Sequence, residues 1–358
     1  MMKGKEINYY FRRSLFFFGL LICLNAAKGA WFLPLGKCSS FEKCNLRQLS
    51  VDGRYVLGAK DQLPCFWDLG DRSEGICPDL VNAYKIKKID KHFLALSPDA
   101  SQILTRIEDK AYSIDPSKYF NLIDNSESWA LSSSNNSELI VGSSGKQACM
   151  WHPDQGEKTY KLSFIDLTSI GFSYSLSSCA TAITPDKTLV TGWAEGEDQT
   201  IGFYWTDLTG VQMIRPFLEQ RCTYPLAISS DGSTIVGKSD GQAFKFRVPY
   251  FFEEIPDLDS LYIELGTLPG QKTSQAKAVT ADGSIIVGES GAEAFIWTKE
   301  KGMQNLQEAL ICQYRLGKEL KNWTIYLVNG ISDDGLYLLG TGVNPKGEMQ
   351  SFVAYLGE

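Results

Sequence analysis

Ala276-Lys277-Ala278-Val279-Thr280-Ala281-Asp282-Gly283-Ser284-Ile285-Ile286-Val287-Gly288-Glu289-Ser290-Gly291-Ala292-Glu293-Ala294-Phe295-Ile296-Trp297-Thr298 reads as three short strands joined by two tight connections. Ala276–Thr280 gives the first strand, Ala281-Asp282-Gly283 a turn, Ser284–Glu289 the second, Ser290-Gly291 a connection and Ala292–Thr298 the third. An Asp-Gly pair between apolar runs is a strong hairpin signal, because Gly takes positive φ without a steric cost. Residues two apart share a face of a strand. Phe295 and Trp297 therefore point together, into the contact between neighbouring units where aromatics bury the most area. Gly302-Met303-Gln304-Asn305 supplies a fourth strand.

The same pattern recurs along the chain. A Ser or Thr at Ser50, Ser97, Ser134, Thr184, Ser229, Thr280 and Ser332 is followed two positions on by Asp52, Asp99, Asn136, Asp186, Asp231, Asp282 and Asp334. Four positions after the acid or amide stands an apolar residue (Val56, Ile103, Ile140, Val190, Ile235, Ile286, Leu338), and six after it a Gly, with Thr105 as the departure. The hydroxyl of the Ser or Thr can bond the backbone of the turn, which gives its recurrence a physical reason. Successive acids lie 37 to 52 residues apart, and a four-stranded propeller blade takes about 40 to 50. The pattern predicts an all-β, seven-bladed β-propeller over residues 30–358. The last unit ends at its third strand, Gln350 to Tyr355, and Trp31-Phe32-Leu33-Pro34-Leu35-Gly36 echoes Leu265-Gly266-Thr267-Leu268-Pro269-Gly270. The N-terminal strand is thus expected to close the last blade and cover its edge. The competing architecture is a solenoid of β-coils, which favours shorter repeats and caps.

Residues 1–29 read as a signal peptide. Lys3, Lys5, Arg12 and Arg13 precede an apolar stretch from Ser14 to Ala27, too short for the roughly 20 residues of a membrane span. Ala27 and Gly29 suit a cut before Ala30, against the alternatives of a retained anchor or a lipid on Cys23. Removing this segment, with five basic groups and one acid, moves the formal charge from −7 to about −11. An acidic surface without a basic cluster disfavours nucleic acid and anionic lipid as partners.

The expected mature chain keeps eight cysteines, an even number that permits disulfides after export. Cys38 with Cys44 and Cys65 with Cys77 are nearest in sequence. Cys65 and Cys149 also stand where Phe295 stands in its unit, so a buried free thiol is the alternative for each. Without a Cys-x-x-Cys pair and with His92 and His152 as the only histidines, neither a metal centre nor a cofactor is expected, and no catalytic residue stands out. His152 follows Trp151 at a strand end and reads as a solvated histidine. The turn acids, one blade apart, read as turn residues rather than calcium ligands.

The triplets Ala294-Phe295-Ile296 and Ala243-Phe244-Lys245, with Gly330-Ile331-Ser332-Asp333-Asp334-Gly335 and Gly340-Thr341-Gly342-Val343-Asn344-Pro345-Lys346-Gly347, resemble the bacterial extracellular-repeat family centred on a His-Ala-Phe triplet, the HAF-repeat proteins. The resemblance covers about residues 45–358. Gln242 and Glu293 stand where that triplet has its His. It implies an exported repeat protein and no particular reaction.

Two interruptions of the rhythm are candidate interaction sites. Tyr250-Phe251-Phe252-Glu253-Glu254 joins aromatics to acids, as interaction surfaces do, or forms an ordinary outer strand. Asn305-Leu306-Gln307-Glu308 has the spacing of a helix-capping box, for a short helix packed on the last blade or a protruding partner site. The sequence reading is an exported bacterial protein, periplasmic, surface-bound or secreted, that binds a protein or glycan at the envelope or at its own or a host cell's surface, such as an adhesin. A hydrolase or lyase with its site in the central channel and a structural envelope scaffold are the alternatives.

Overall fold

The computed structural model describes residues 29–37, 44–60, 63–69, 95–107, 109–115, 118–121, 127–153, 160–171, 176–214, 222–249 and 258–357. They form seven antiparallel sheets, six of four strands and one of three. Strands that pair also follow one another in sequence, as in Ser274–Val279, Ile285–Ser290, Glu293–Thr298 and Gly302–Asn305. The exception is Trp31–Lys37, which pairs with Met349–Tyr355 from the other end of the chain, Trp31 opposite Tyr355 and Leu33 opposite Val353. The fold is a β-propeller.

Each sheet buries both faces, which the period-2 alternation of its third strand makes feasible. Phe295 and Trp297 pack with Val236, Ala243, Leu265 and Ile286 against the preceding sheet. Ala294 and Ile296, on the other face, pack with Val328, Leu338 and Phe352 of the following one. Burying a side chain such as Phe295 stabilises by about 1.5–3 kcal/mol, and the same contact repeats from sheet to sheet.

The recurrent Gly six positions after the acid has a steric cause. In six of the seven units the first strand carries a bulge among the described residues, and the residue left unpaired stands three positions before the Ser or Thr, as at Leu131, Thr181, Leu226 and Lys277. The bulge turns a first-strand carbonyl onto the facing Gly. A Cβ on Gly288 would lie 2.0 Å from Gln275 O and 2.9 Å from Phe295 Cε1. One on Gly237 would meet Tyr224 O at 2.1 Å and Phe244 Cε1 at 3.0 Å. The third-strand aromatic thus lies over a position with no room for any side chain.

Five of the seven turns share one hydrogen-bond scheme. Thr280 Oγ1 donates to Asp282 Oδ1 at 2.8 Å and accepts from the Ile285 N–H at 3.0 Å, while Asp282 Oδ1 accepts from the Ser284 N–H at 2.9 Å. Ser50, Ser97, Ser229 and Ser332 repeat it with Asp52, Asp99, Asp231 and Asp334. The residue after the acid or amide has positive φ in every turn. Gly fills it at Gly53, Gly232, Gly283 and Gly335, but Ala100, Ser137 and Lys187 hold it at φ of 56°, 48° and 70°. Where the glycine is missing, the Ser or Thr oxygen still accepts from the backbone N–H five positions on, that of Gln102, Leu139 or Leu189.

Asn305 caps a helix over Leu306–Cys312, α1, by accepting from the Glu308 N–H at 3.1 Å. Leu306, Ala309 and Leu310 are buried beside Leu316, Leu320 and Trp323 in the core of the last sheets. This segment packs on its sheet, as the simpler of the two sequence readings has it.

Candidate functional site

The first strands of the sheets run side by side, and their two ends define two faces. At one end lie the Ser/Thr-x-Asp turns. The sequence spacing places their acids far apart, but the turns of successive units meet edge to edge. The Asp333 N–H donates to Val51 O at 2.9 Å, joining the last unit to the first, and the Ala281 N–H donates to Asp333 O at 3.1 Å. Further along, the Asp231 N–H donates to Ala281 O at 3.1 Å, the Val51 N–H to Pro98 O at 3.4 Å, and the Asn135 N–H to Pro185 O at 3.0 Å. Pro98 has no N–H to pass on, and there the junction uses a side chain: the Asn136 N–H donates to Asp99 Oδ2 at 3.0 Å.

Asp333, on the turn of the last unit, joins three other turns of this face. Ser230 Oγ donates to its Oδ1 at 2.8 Å. Burial raises its pKa above the ordinary carboxylate value; the Ser230 bond opposes that rise, and the charges of Asp334 and Asp231 add to it. The carboxylate therefore accepts from Ser230 in surroundings that hold its charge less easily than water does.

At the other end of the first strands a groove of about 550 Å³ opens between the third and fourth sheets. Two cross-strand pairs make it: Trp129 opposite Ser143 and Cys179 opposite Trp193. Each pair sets one indole against one small residue, with the order reversed between sheets, and the space left by the small residues is the groove. The equivalent pairs of the fifth and sixth sheets are of longer side chains, Tyr224 with Lys238 and Gln275 with Glu289. The bulge residue Leu131 adds an apolar wall, and Glu127 and Lys146 stand at the rim.

Both indoles are braced. The Arg106 guanidinium lies 3.9 Å from the Trp129 ring centroid and is itself held by Glu127 at 2.7 Å and Asp109 at 2.8 Å. Trp193 meets Tyr224 edge to face at 5.7 Å. The Cys179 thiol is pushed up to about 12 by burial, so it is a neutral apolar wall and not a nucleophile at neutral pH.

Tyr250, Phe251, Phe252, Glu253 and Glu254 lie outside the described residues, as do Cys38 and Cys77. Cys44 and Cys65 are placed by backbone register alone, opposite Lys60 and Gly58. Cys149 is buried opposite Gly142, the register position that Phe295 takes opposite Gly288. His152 is exposed at the end of its strand, its Nε2 3.2 Å from Ser163 Oγ, and partial desolvation of the ring lowers its pKa against the opposing charge of Asp207. Among the described residues no cluster of three or more His, Cys, Asp or Glu is placed to hold a metal ion. The groove was not among the sequence-derived sites. Its signal was present as two tryptophans at different positions of adjacent repeats, Trp129 five before Ser134 and Trp193 nine after Thr184.

No protein-family model matches the chain. No curated protein matches it either. In structure it is similar to the Dos1 propeller, with a TM-score of 0.48 and 15% identity over 90% of this chain and 82% of that one. It is also similar to an Agrobacterium tumefaciens protein assigned as a TolB, with a TM-score of 0.43 and 13% identity over 74% of this chain and 89% of the other. The propeller assignment stands on the sheets and turns described above.

Proposed function

We propose that this chain is an exported bacterial repeat protein of the HAF-repeat type that binds a protein or glycan partner at the cell envelope or surface. In this reading its seven sheets are seven blades, the three-stranded sheet among them, and the N-terminal strand closes the ring. The bond from the Asp333 N–H to Val51 O, which joins the last unit to the first, supports a closed ring. So does the stacking of Trp31 on Tyr355 at 5.6 Å and of Phe32 on Phe352 at 4.9 Å. Export rests on residues 1–29: a basic start, an apolar stretch and small residues before Ala30.

The observation that carries the binding reading is the pair of braced indoles, Trp129 and Trp193, lining one groove at the end of the first strands. Aromatic side chains fixed in place before contact lose little entropy on binding, which is what a recognition surface needs. The enzymatic alternative would centre on Asp333, whose facing charges are those of Asp231 and Asp334 and whose partner is a hydroxyl.

The test is a peptide and glycan array probed with the full chain, expressed with its own leader and purified, beside a hydrolase and lyase screen of the same preparation. Binding to one class of ligand, weakened by Trp129→Ala or Trp193→Ala and without turnover, is the expected result. Turnover abolished by Asp333→Asn, with no ligand retained, would overturn the reading.

A further inference from the structure

We infer that the groove between the third and fourth sheets takes an apolar or aromatic side chain presented on a basic peptide segment, rather than a glycan; this rests on the binding reading above.

The lining argues for an apolar occupant. Trp129, Leu131, Cys179 and Trp193 supply most of the wall, and Cys179 stays uncharged. Leu176, 62% exposed, adjoins the lining residue Ser177 and extends the apolar surface outward. The polar groups near the floor already serve the protein. Ser178 Oγ accepts from the Ala148 N–H at 2.8 Å, Ser177 Oγ donates to Glu195 Oε2 at 2.5 Å, and Glu127 Oε1 holds Arg106. A sugar ring stacks on an indole but also brings a hydroxyl on nearly every carbon, and each one buried without a partner costs free energy. A single Phe or Leu side chain makes no such demand. It gains from burial between walls that Arg106 and Tyr224 have already fixed.

The rim argues for basic flanks. The Arg106 charge is met twice, by Glu127 and by Asp109. Glu195 stands on the fourth-sheet side with the Ser177 hydroxyl as its partner, and Lys146 is the rim's other cation. Counting Asp109 and Glu195, which reach the groove through Arg106 and Ser177, three acids and two bases stand around it, in a chain of formal charge −7. Lys or Arg on either side of the anchor would meet an excess of carboxylate and would be drawn to the acidic surface from a distance.

The experiment uses fluorescein-labelled pentapeptides Lys-Lys-Phe-Lys-Lys, Lys-Lys-Ala-Lys-Lys and Glu-Glu-Phe-Glu-Glu, with an N-acetylglucosamine tetramer as the sugar arm. Affinity for the full chain is read by fluorescence anisotropy for the peptides and by calorimetry for the sugar. The Phe-centred basic peptide is expected to bind at least ten-fold more tightly than the Ala-centred or the acidic one. Trp193→Ala should lower that affinity ten-fold or more. Trp193→Phe, which keeps an aromatic wall and guards against misfolding, should lower it less, and Leu208→Ser on a remote turn should leave it unchanged. Equal binding of the Phe- and Ala-centred peptides, equal binding of the basic and acidic ones, or indifference to Trp193→Ala would overturn the inference. Binding of the sugar alone, lost in Trp193→Ala, would overturn the peptide inference and leave the binding reading standing. Failure of every probe would overturn the peptide inference, and the array and turnover screen would then decide the broader reading.

Discussion

The Ser230 hydroxyl donates to the Asp333 carboxylate at 2.8 Å across 103 positions of sequence, tying the turn of the fifth unit to that of the seventh past the sixth. The same Asp333 offers its N–H to Val51 of the first unit. One residue therefore ties units from both ends of the repeat array, with its carboxylate where burial and the charges of Asp334 and Asp231 raise its pKa.

The raised pKa of Asp333 fixes the sign of a pH effect. Above its folded pKa the native state carries a charge that it holds less easily than the unfolded chain does. Stability from this residue is therefore lost as pH rises from the ordinary carboxylate value through the raised one. Asp333→Asn, which keeps an acceptor for Ser230, should melt no lower than wild type at pH 7. The difference in melting temperature between the two should shift in favour of wild type as pH falls to about 4. Thermal melts of both proteins across that range check it.

Asp282 should behave in the opposite sense. Burial acts to raise its pKa, but hydrogen bonds from Ser284 and Thr280 outweigh it and lower the value. Its contribution is present above the ordinary carboxylate range and is lost as pH falls through the depressed folded value. Asp282→Ala removes acceptors for the Ser284 N–H and Thr280 Oγ1 and should cost about 1–2 kcal/mol at pH 7 by denaturant unfolding. That cost should shrink on acidification below the ordinary carboxylate range.

Two glycines separate backbone strain from steric exclusion. Gly302, at φ +67° with nothing within 4 Å of a built Cβ, should lose only about 1 kcal/mol as Gly302→Ala, the cost of a left-handed Ala. Gly288→Ala drives its Cβ to 2.0 Å from Gln275 O and should cost more than about 3 kcal/mol or prevent folding, as expected of a clash in a packed core. Urea unfolding of the pair gives the comparison, and equal losses would contradict the account of the recurrent Gly.

The N-terminal strand should be worth a comparable amount. Phe32 stacks on Phe352 at 4.9 Å and meets Trp323 edge to face at 5.0 Å. Phe32→Ala should lose about 2–3 kcal/mol, somewhat below the value for a fully buried Phe because Phe32 is half-buried. A chain lacking 30–36 should unfold several degrees lower and associate through the bared edge of Met349–Tyr355, as light scattering would show.

Much of this architecture can be read along the chain because each unit repeats the same local chemistry. Thr280 with Asp282 marks a turn, Gly288 marks the place where the bulge presses on the second strand, and Phe295 marks the third strand. Those signals act within a dozen residues or so. The groove escaped because it depends on contacts that sequence spacing does not express. Trp129 and Trp193 stand at different positions of their units, and only register places the small residues Ser143 and Cys179 opposite them. The nearness of Asp333 to Ser230 escaped for the same reason: the Ser/Thr-x-Asp spacing gives the turn and not its distance from the turn of another unit.

The central claim, that the chain recognises a partner through the Trp129–Trp193 groove, is tested most directly by photo-crosslinking in cells. A photoreactive phenylalanine is placed at Lys146 on the groove rim in one variant and at Leu208, 79% exposed on a remote turn, in another. The account predicts a discrete adduct from the Lys146 position that disappears when Trp193→Ala is added, and none from Leu208. An adduct from Leu208 alone, or one from Lys146 that persists in the Trp193→Ala background, would contradict it.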